Sequence, residues 1–347
     1  MKAAYIEKHG SLDEIKFGDL EPPVCKPNEM LVETAYSALN HLDIFVTAGW
    51  PGLKLEFPHI PGSDGCGKIL EIGSAVQDTS FHIGDMVTIN PGTSCGTCST
   101  CLAGEHNFCK DYSIKGEFFK GTFAEKFTIP AANALKIPNG FPLNEAAAAP
   151  LSYLTAWRML TTKARVKSGD SVFIQGGGGG VAICALQIAK HFGATVIVSS
   201  STDEKIKRLK ELGADHVVNY KENPEYPKTV FKELTQRKGI DIVVDSVGPA
   251  TFPNSLKMLK AGGRLVTCGA TTGPISKINL NAVFWKQLEI MGSTMSNQQE
   301  FRDVMKLVFE GKLKAVIGKE FPLSDAKDAE NYLNSGNHFG KIVLKSK

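Results

Sequence analysis

Residues 171–190 read SVFIQGGGGGVAICALQIAK, and the organisation of the chain can be worked outward from them. Four residues of an apolar, strand-like run lead through a glutamine into five consecutive glycines and then an amphipathic segment, the pattern of strand, tight turn and helix. Val181, Cys184, Ala185, Ile188, Ala189 and Phe192 recur at i, i+3, i+4, i+7, i+8 and i+11, one face of a helix. Gly177, Gly179 and Ala182 fit G-x-G-x-x-G/A. In that motif the first glycine makes the turn, the second lets the backbone approach a pyrophosphate, and the third position permits close helix–sheet packing. A phosphate would sit on N–H groups at the start of the helix, at Gly180 and Val181. The motif alone is weak and a flexible turn would also carry it. Here it follows a strand and opens a helix, which points to a dinucleotide.

Downstream, strand-like runs recur at 195–199, 216–220, 241–246, 263–269 and 288–293, separated by amphipathic segments. Strands alternating with helices predict a doubly wound parallel sheet with both faces covered, an α/β domain over 153–293. Residues 1–152 differ. Short, partly alternating apolar runs broken by Gly and Pro, such as EMLVETAYSAL (29–39) and GKILEIGSAV (67–76), predict an all-β, barrel-like domain with long loops. Residues 294–347 add a helix over 298–311, another over 323–336 and a final strand at 341–345, and are assigned with 1–152.

The dinucleotide type is decided at the end of the strand after the glycine turn, where an acid would bind the ribose 2′-OH of NAD. The sequence there is VIVSSSTDEKIKR (196–208), with serines including Ser200 in place of the acid. Lys205, Arg208 and Tyr220 follow and offer partners for a 2′-phosphate. NADP(H) is therefore expected, with NAD the alternative and ordinary solvated helix charge the competing account of Lys205 and Arg208. Asp203 reads as a helix N-terminal residue. Cys268 and Gly269 end a strand and would border the nicotinamide by backbone, since ligands bind at the carboxyl ends of such strands.

Cys95, Cys98, Cys101 and Cys109 have the spacing C-x2-C-x2-C-x7-C. Four thiolates close a tetrahedral Zn²⁺ shell and leave no position for substrate, so one structural zinc is expected in a lobe at about 91–112. An Fe–S cluster is the rival occupant. His106, inside the lobe, reads as a surface residue. The net charge of +3 and the absence of a basic block argue against nucleic acid. No apolar run reaches membrane-spanning length and the N-terminus has no signal-peptide pattern, so a cytoplasmic location is expected.

With these features together the chain resembles a medium-chain dehydrogenase/reductase, close to the zinc-binding dehydrogenases and NADPH quinone oxidoreductases. The match runs through PHIPGSDGCGKILEIGSAV (58–76), the four-cysteine lobe, EAAAAPLSYLTAWRML (145–160), the glycine turn and GNHFGKIVL (336–344). The resemblance implies a GroES-like catalytic domain over 1–152 and 294–347 and a Rossmann domain over 153–293. It implies a catalytic zinc in the alcohol dehydrogenases, but this sequence departs at each ligand position: Asn40, then Gly62-Ser63-Asp64 for Gly-His-Glu, then Leu151. The hydroxyl and histidine of the proton relay fall on Leu42 and Phe45. No catalytic zinc is expected.

Asn40-His41-Leu42-Asp43 instead resembles the Asn-x-x-Asp of zinc-free quinone oxidoreductases. That resemblance makes Asn40 the electrophile through its amide, with Asp43 orienting the loop or pairing with Ser63, and Asp64 a second polar group. Satisfied structural carboxylates remain the alternative for Asp43 and Asp64. His41 matches a pyrophosphate contact. Tyr153 and Thr155 fall beside the nicotinamide position, where packing also accounts for them. Lys341 either reaches a cofactor phosphate or is an exposed strand residue. The expected reaction is hydride transfer from NADPH to a small apolar quinone or α,β-unsaturated carbonyl, in a homodimer or homotetramer. The alternatives are an alcohol dehydrogenase with a non-standard metal site and a nucleotide-binding protein without turnover.

Overall fold

The structure, a computed structural model, describes residues 1–346. It divides into two compact units, one of Met1–Ser152 with Ser296–Lys347 and one of Tyr153–Met295. Among the described residues no helix is long and apolar enough to cross a membrane.

The second unit holds a six-stranded sheet ordered His216–Asn219, Thr195–Ser200, Ser171–Ile174, Ile240–Val244, Leu259–Thr267, Glu289–Gly292. In chain order this is third, second, first, fourth, fifth, sixth, and every pairing is parallel. The order reverses at the first strand, where the crossovers diverge to opposite faces and leave a crevice at the strand ends. This is the doubly wound α/β sheet expected from the sequence. Helix Gly180–His191 follows the first strand. Its buried set includes Ala182, Ile183 and Leu186 with Cys184, Ala185, Ile188 and Ala189 of the predicted stripe, whose two ends, Val181 and Phe192, are half-buried. The buried face is therefore wider than the periodicity marked out.

The first unit is built on a seven-stranded sheet. Its linear order is Ile317–Pro322, Lys341–Lys345, Glu29–Ala38, Asp64–Ile72, Met86–Ile89, Ala134–Lys136, with Lys126–Pro130 also paired to Glu29–Ala38. Strand Glu29–Ala38 buries Met30, Val32 and Thr34 in alternation, because one pleated face lies on the core. Register then concentrates polar groups at one end of the sheet. Ala38 lies opposite Asp64 on one side and opposite Val343 on the other. Asn40 and Lys341 are each two residues beyond those pairs, so the two residues and Asp64 converge from three neighbouring strands.

Candidate functional site

In the glycine turn, Gly176 and Gly178 take φ angles of 72° and 123°, which a β-carbon disfavours. The turn is thus made by the glycines flanking Gly177 rather than by Gly177 itself. Gly177 is constrained by contact instead: a β-carbon there would lie 2.4 Å from Val198 Cγ1 and 2.7 Å from Leu209 Cδ1. At Gly179 the nearest atom to such a carbon is Gly176 O, 3.9 Å away, which leaves the clearance a pyrophosphate needs. The Ile183 N–H makes the first helical bond, to Gly179 O. The N–H groups of Gly180, Val181 and Ala182 precede that ladder, as in any helix N-terminus. These residues fit the phosphates of a dinucleotide.

The serines that end the neighbouring strand behave differently from expectation. Ser199 and Ser200 are buried, and their hydroxyls donate inward, to Gln175 Oε1 at 2.8 Å and Gly177 O at 3.2 Å. Ser200 is therefore corrected from a cofactor contact to a support of the glycine turn. Its side chain follows the pleat into the core. Lys205 lies with its aliphatic arm over Gly178, whose added β-carbon would meet Lys205 Cδ at 3.2 Å. Burial lowers its ammonium pKa, and Lys221 pushes the same way. Lys221, beside the exposed Tyr220, was not singled out from the sequence, although the adjacent pair was a readable signal. Asp203 stands in the first turn of helix Asp203–Glu211, capped by Thr202. Thr155 and Tyr153 are buried in helix Pro150–Trp157, while Cys268 and Gly269 follow strand Leu259–Thr267.

A second group had no sequence signal at all. Gln175 Nε2 donates to Ser255 Oγ at 3.0 Å, and Ser255 Oγ donates to Asp245 Oδ2 at 2.7 Å. Asp245 also accepts the N–H groups of Val247 and Gly248. This buried chain ties the glycine turn to the loop after strand Ile240–Val244.

At the other cluster, Asn40 Nδ2 donates to Asp64 Oδ2 at 2.9 Å, and Asn40 Oδ1 accepts from Lys341 Nζ at 2.6 Å. Lys341 Nζ also donates to Leu39 O at 2.8 Å and Asp64 Oδ2 at 3.1 Å. The remaining Asp64 oxygen accepts the Leu151 N–H at 2.9 Å. Asp64 is fully buried. Burial raises its pKa, opposed by Lys341, the Asn40 amide and the Leu151 N–H.

Two expectations are corrected here. Lys341 is neither an exposed strand residue nor poised for a phosphate. It is 6% exposed and its three N–H donors are taken by Leu39, Asn40 and Asp64. Asp43 does not pair with Ser63: its Oδ2 accepts the Asn40 N–H at 2.7 Å, capping helix His41–Ala48, and Ser63 Oγ has no partner among the described residues. His41 is exposed as the first residue of that helix, with its ring 6.1 Å from that of His338.

The four cysteine Sγ atoms lie within 4.8 Å of one another. Their separations of 3.5 Å (Cys95–Cys109), 3.7 Å (Cys98–Cys109) and 3.9 Å (Cys95–Cys101) suit the edges of a tetrahedron. With Zn–S near 2.3 Å such an edge is about 3.8 Å. The Thr97 and Cys98 N–H groups bring the Cys95 thiol down to about 6, toward the thiolate a metal needs. The donor set fits zinc. His106 lies outside it and accepts the Gln298 N–H at 3.5 Å, seating the lobe on helix Gln298–Phe309.

Residues 26–139 match the model of the alcohol dehydrogenase GroES-like domain, and residues 180–310 that of the zinc-binding dehydrogenase family. A zinc-type alcohol dehydrogenase-like protein of Schizosaccharomyces pombe is 32% identical, over 96% of this chain and 95% of its own. An acryloyl-coenzyme A reductase of Sulfurisphaera tokodaii is 30% identical, over 99% of this chain and all of its own. A crystal structure described as an NAD-dependent alcohol dehydrogenase superposes with a TM-score of 0.95 at 41% identity, each chain covered completely.

Proposed function

The chain belongs to the zinc-binding dehydrogenases of the medium-chain dehydrogenase/reductase superfamily, and from that membership we propose a specific reaction. It is an NADP(H)-dependent reductase that passes hydride to α,β-unsaturated carbonyls or quinones without a catalytic zinc. The observation that carries the proposal is the donor set around Asn40. Leu151 brings no ligand atom, and its N–H is spent on Asp64. The Lys341 ammonium, 3.1 Å from Asp64 and 2.6 Å from Asn40 Oδ1, places a positive charge against these two side chains, which disfavours a dication on them.

Reduction of a simple ketone concentrates charge on one oxygen, which is the work of a Lewis acid. Conjugate addition spreads that charge, so a few hydrogen-bond donors suffice. When bound, the reduced nicotinamide supplies the hydride. Asn40 supplies the polarising donor: one amide hydrogen is held by Asp64, and the other has only a 3.5 Å contact to Ala38 O and is the one available to a substrate oxygen. Lys341 on Asn40 Oδ1 prevents the amide from flipping. Phe45, Trp50 and Phe57 are exposed apolar side chains that suit a small hydrophobic acceptor.

The acryloyl-coenzyme A reductase named among the relatives acts, by its name, on an activated alkene, in keeping with this reading. The relative of known structure described as an NAD-dependent alcohol dehydrogenase favours the second reading, alcohol oxidation at a non-standard metal site. Metal analysis with an NADPH-consumption assay over quinones, enones and simple ketones separates the two. One zinc per chain with turnover confined to conjugated acceptors is expected. A second tightly bound zinc together with alcohol oxidation would overturn the proposal, and NADPH binding without turnover would point to a non-enzymatic role.

NADP(H) is proposed over NAD because no carboxylate ends strand Thr195–Ser200, while Lys205 and Lys221 gather beside it. Lys205→Ala should weaken NADPH binding about tenfold, the scale of one charge-assisted hydrogen bond, and leave NADH unchanged. Fluorescence titration of both nucleotides checks this, and equal losses would contradict it. We also propose that a second copy covers the sheet edge at Glu289–Gly292. Ile290 on that strand, with Phe284 and Trp285 on the preceding helix, is exposed. Light scattering should return a dimer or tetramer mass, and a monomer would refute it.

A further inference from the structure

Helix His41–Ala48 packs against helix Ala326–Asn334, and their contact carries acids on both sides. Asp43 and Glu330 are both fully buried. Asp43 Oδ1, Thr47 Oγ1 and both Glu330 carboxyl oxygens have no hydrogen-bond partner among the described residues. Thr47 is one helical turn from Asp43 and shares its face. Around them lie apolar side chains, including Leu39, Ile60, Ala326, Ala329, Leu333 and Ile342. Two ionised carboxylates cannot share such a site, because desolvation and mutual repulsion both oppose the second charge.

We propose that Glu330 is a positioning residue that shares one proton with Asp43, and that the shared proton keeps Asp43 on the backbone of Asn40. Asp43 Oδ2 accepts the Asn40 N–H at 2.7 Å, so the position of the Asn40 amide at the head of its helix depends on Asp43 staying in place. Loss of the last proton would put two negative charges face to face between the helices and drive Asp43 away from that cap.

The other charges around the dyad do not neutralise it. Lys341 acts on Asp43 from its own strand, but Asp64 beside it acts in the opposite sense. Asp13 and Glu14, on the short segment packed against both helices, are paired at the surface with Lys327 and Lys8. His9 meets the Val46 carbonyl and the edge of the Phe57 ring, and Lys319 lies over the rings of Phe321 and Tyr332. Burial pushes Asp43 up to about 7, and burial and then Asp43 push Glu330 well above the ordinary carboxylate range. Both folded-state pKa values exceed the unfolded ones. The dyad's contribution to stability is thus complete below the ordinary carboxylate range and is lost as pH rises through about 7 for Asp43.

The test compares the wild-type chain with Glu330→Gln. In the wild type, the infrared band of a protonated carboxyl should persist at pH 7 and bleach above it. In E330Q, Asp43 should ionise at lower pH and the band at pH 7 should weaken, leaving the part that belongs to Glu117, which burial also raises to about 7. The thermal midpoint of E330Q relative to wild type should rise between pH 5 and pH 8. No band at pH 7, an identical band in E330Q, or parallel stability curves would overturn the shared proton. Should E330Q fail to fold, Glu117→Gln, which removes the other acid that burial raises to about 7, decides the matter: the dyad's band should persist in it at pH 7, and its absence would overturn the shared proton.

The positioning role rests on the proposed reduction for one readout only. The falling alkaline limb of kcat should move to higher pH in E330Q, and a limb that stays put while the band weakens would overturn positioning. Absence of turnover on every acceptor would count against the proposed reaction alone, because the infrared and stability measurements do not use it. In that case Tyr or Trp fluorescence quenching by NADPH across the same pH range replaces kcat, with no pH-dependent difference between the two proteins counting against positioning.

Discussion

Replacing Lys341 by methionine is expected to be among the most damaging single substitutions in the chain. The change removes the ammonium that pairs with a fully buried carboxylate and leaves Asp64 with the Asn40 amide and the Leu151 N–H. Removing one partner of a buried ion pair costs about 3–5 kcal/mol, because the remaining charge stays desolvated. At roughly 2–4 °C per kcal/mol for a unit of this size, the midpoint of unfolding should fall by about 10 °C. Asp64→Asn in the Lys341→Met background should recover much of that loss, since the buried charge is gone. Differential scanning calorimetry of the two single variants and the double reads the coupling. A Lys341→Met midpoint within about 2 °C of wild type, less than one kcal/mol on the same scale, would mean that the pair is not what holds this end of the sheet. NADPH consumption should fall with it, because Asn40 Oδ1 loses the donor that fixes the amide.

The second large effect is on the metal. Cys98→Ser should lower the zinc content from about one to well below one per chain and melt the lobe, since a closed tetrahedral site exists only with all four donors. Zinc binding of this type carries about 10–16 kcal/mol in isolated peptides. In a folded unit most of the sheet survives, so a fall of about 10 °C in the midpoint is expected, corresponding to about 3–5 kcal/mol. Titration with NADPH should be unaffected, because the glycine turn belongs to the other compact unit. Loss of NADPH binding in step with zinc would show that the metal does more than hold the lobe.

Much of this was legible in the residues. The six strand-like runs and the glycine turn specified a parallel sheet, because apolar runs alternating with helical periodicity bury both faces of a sheet. The cysteine spacing identified a closed metal shell, since four soft ligands within 15 residues leave little choice of partner. The missing ligands at Asn40, Ser63 and Leu151 were visible by identity alone. These are local properties, and local chemistry is written in adjacent residues.

What a side chain does with its polar atoms was not local. Ser200 sits where a cofactor contact was expected, yet the pleat turns its hydroxyl onto Gly177 O. Lys341 is 277 residues from Asp64 in sequence, and the pairing of three strands brings them to 3.1 Å. Glu330 reads as an ordinary helix-surface acid until helix packing buries it against Asp43. The sequence by itself determined which elements form and which ligand types are available. Only the tertiary structure decided which charges meet, because register and helix packing set distances between residues hundreds of positions apart, and a desolvated charge takes its meaning from its neighbours.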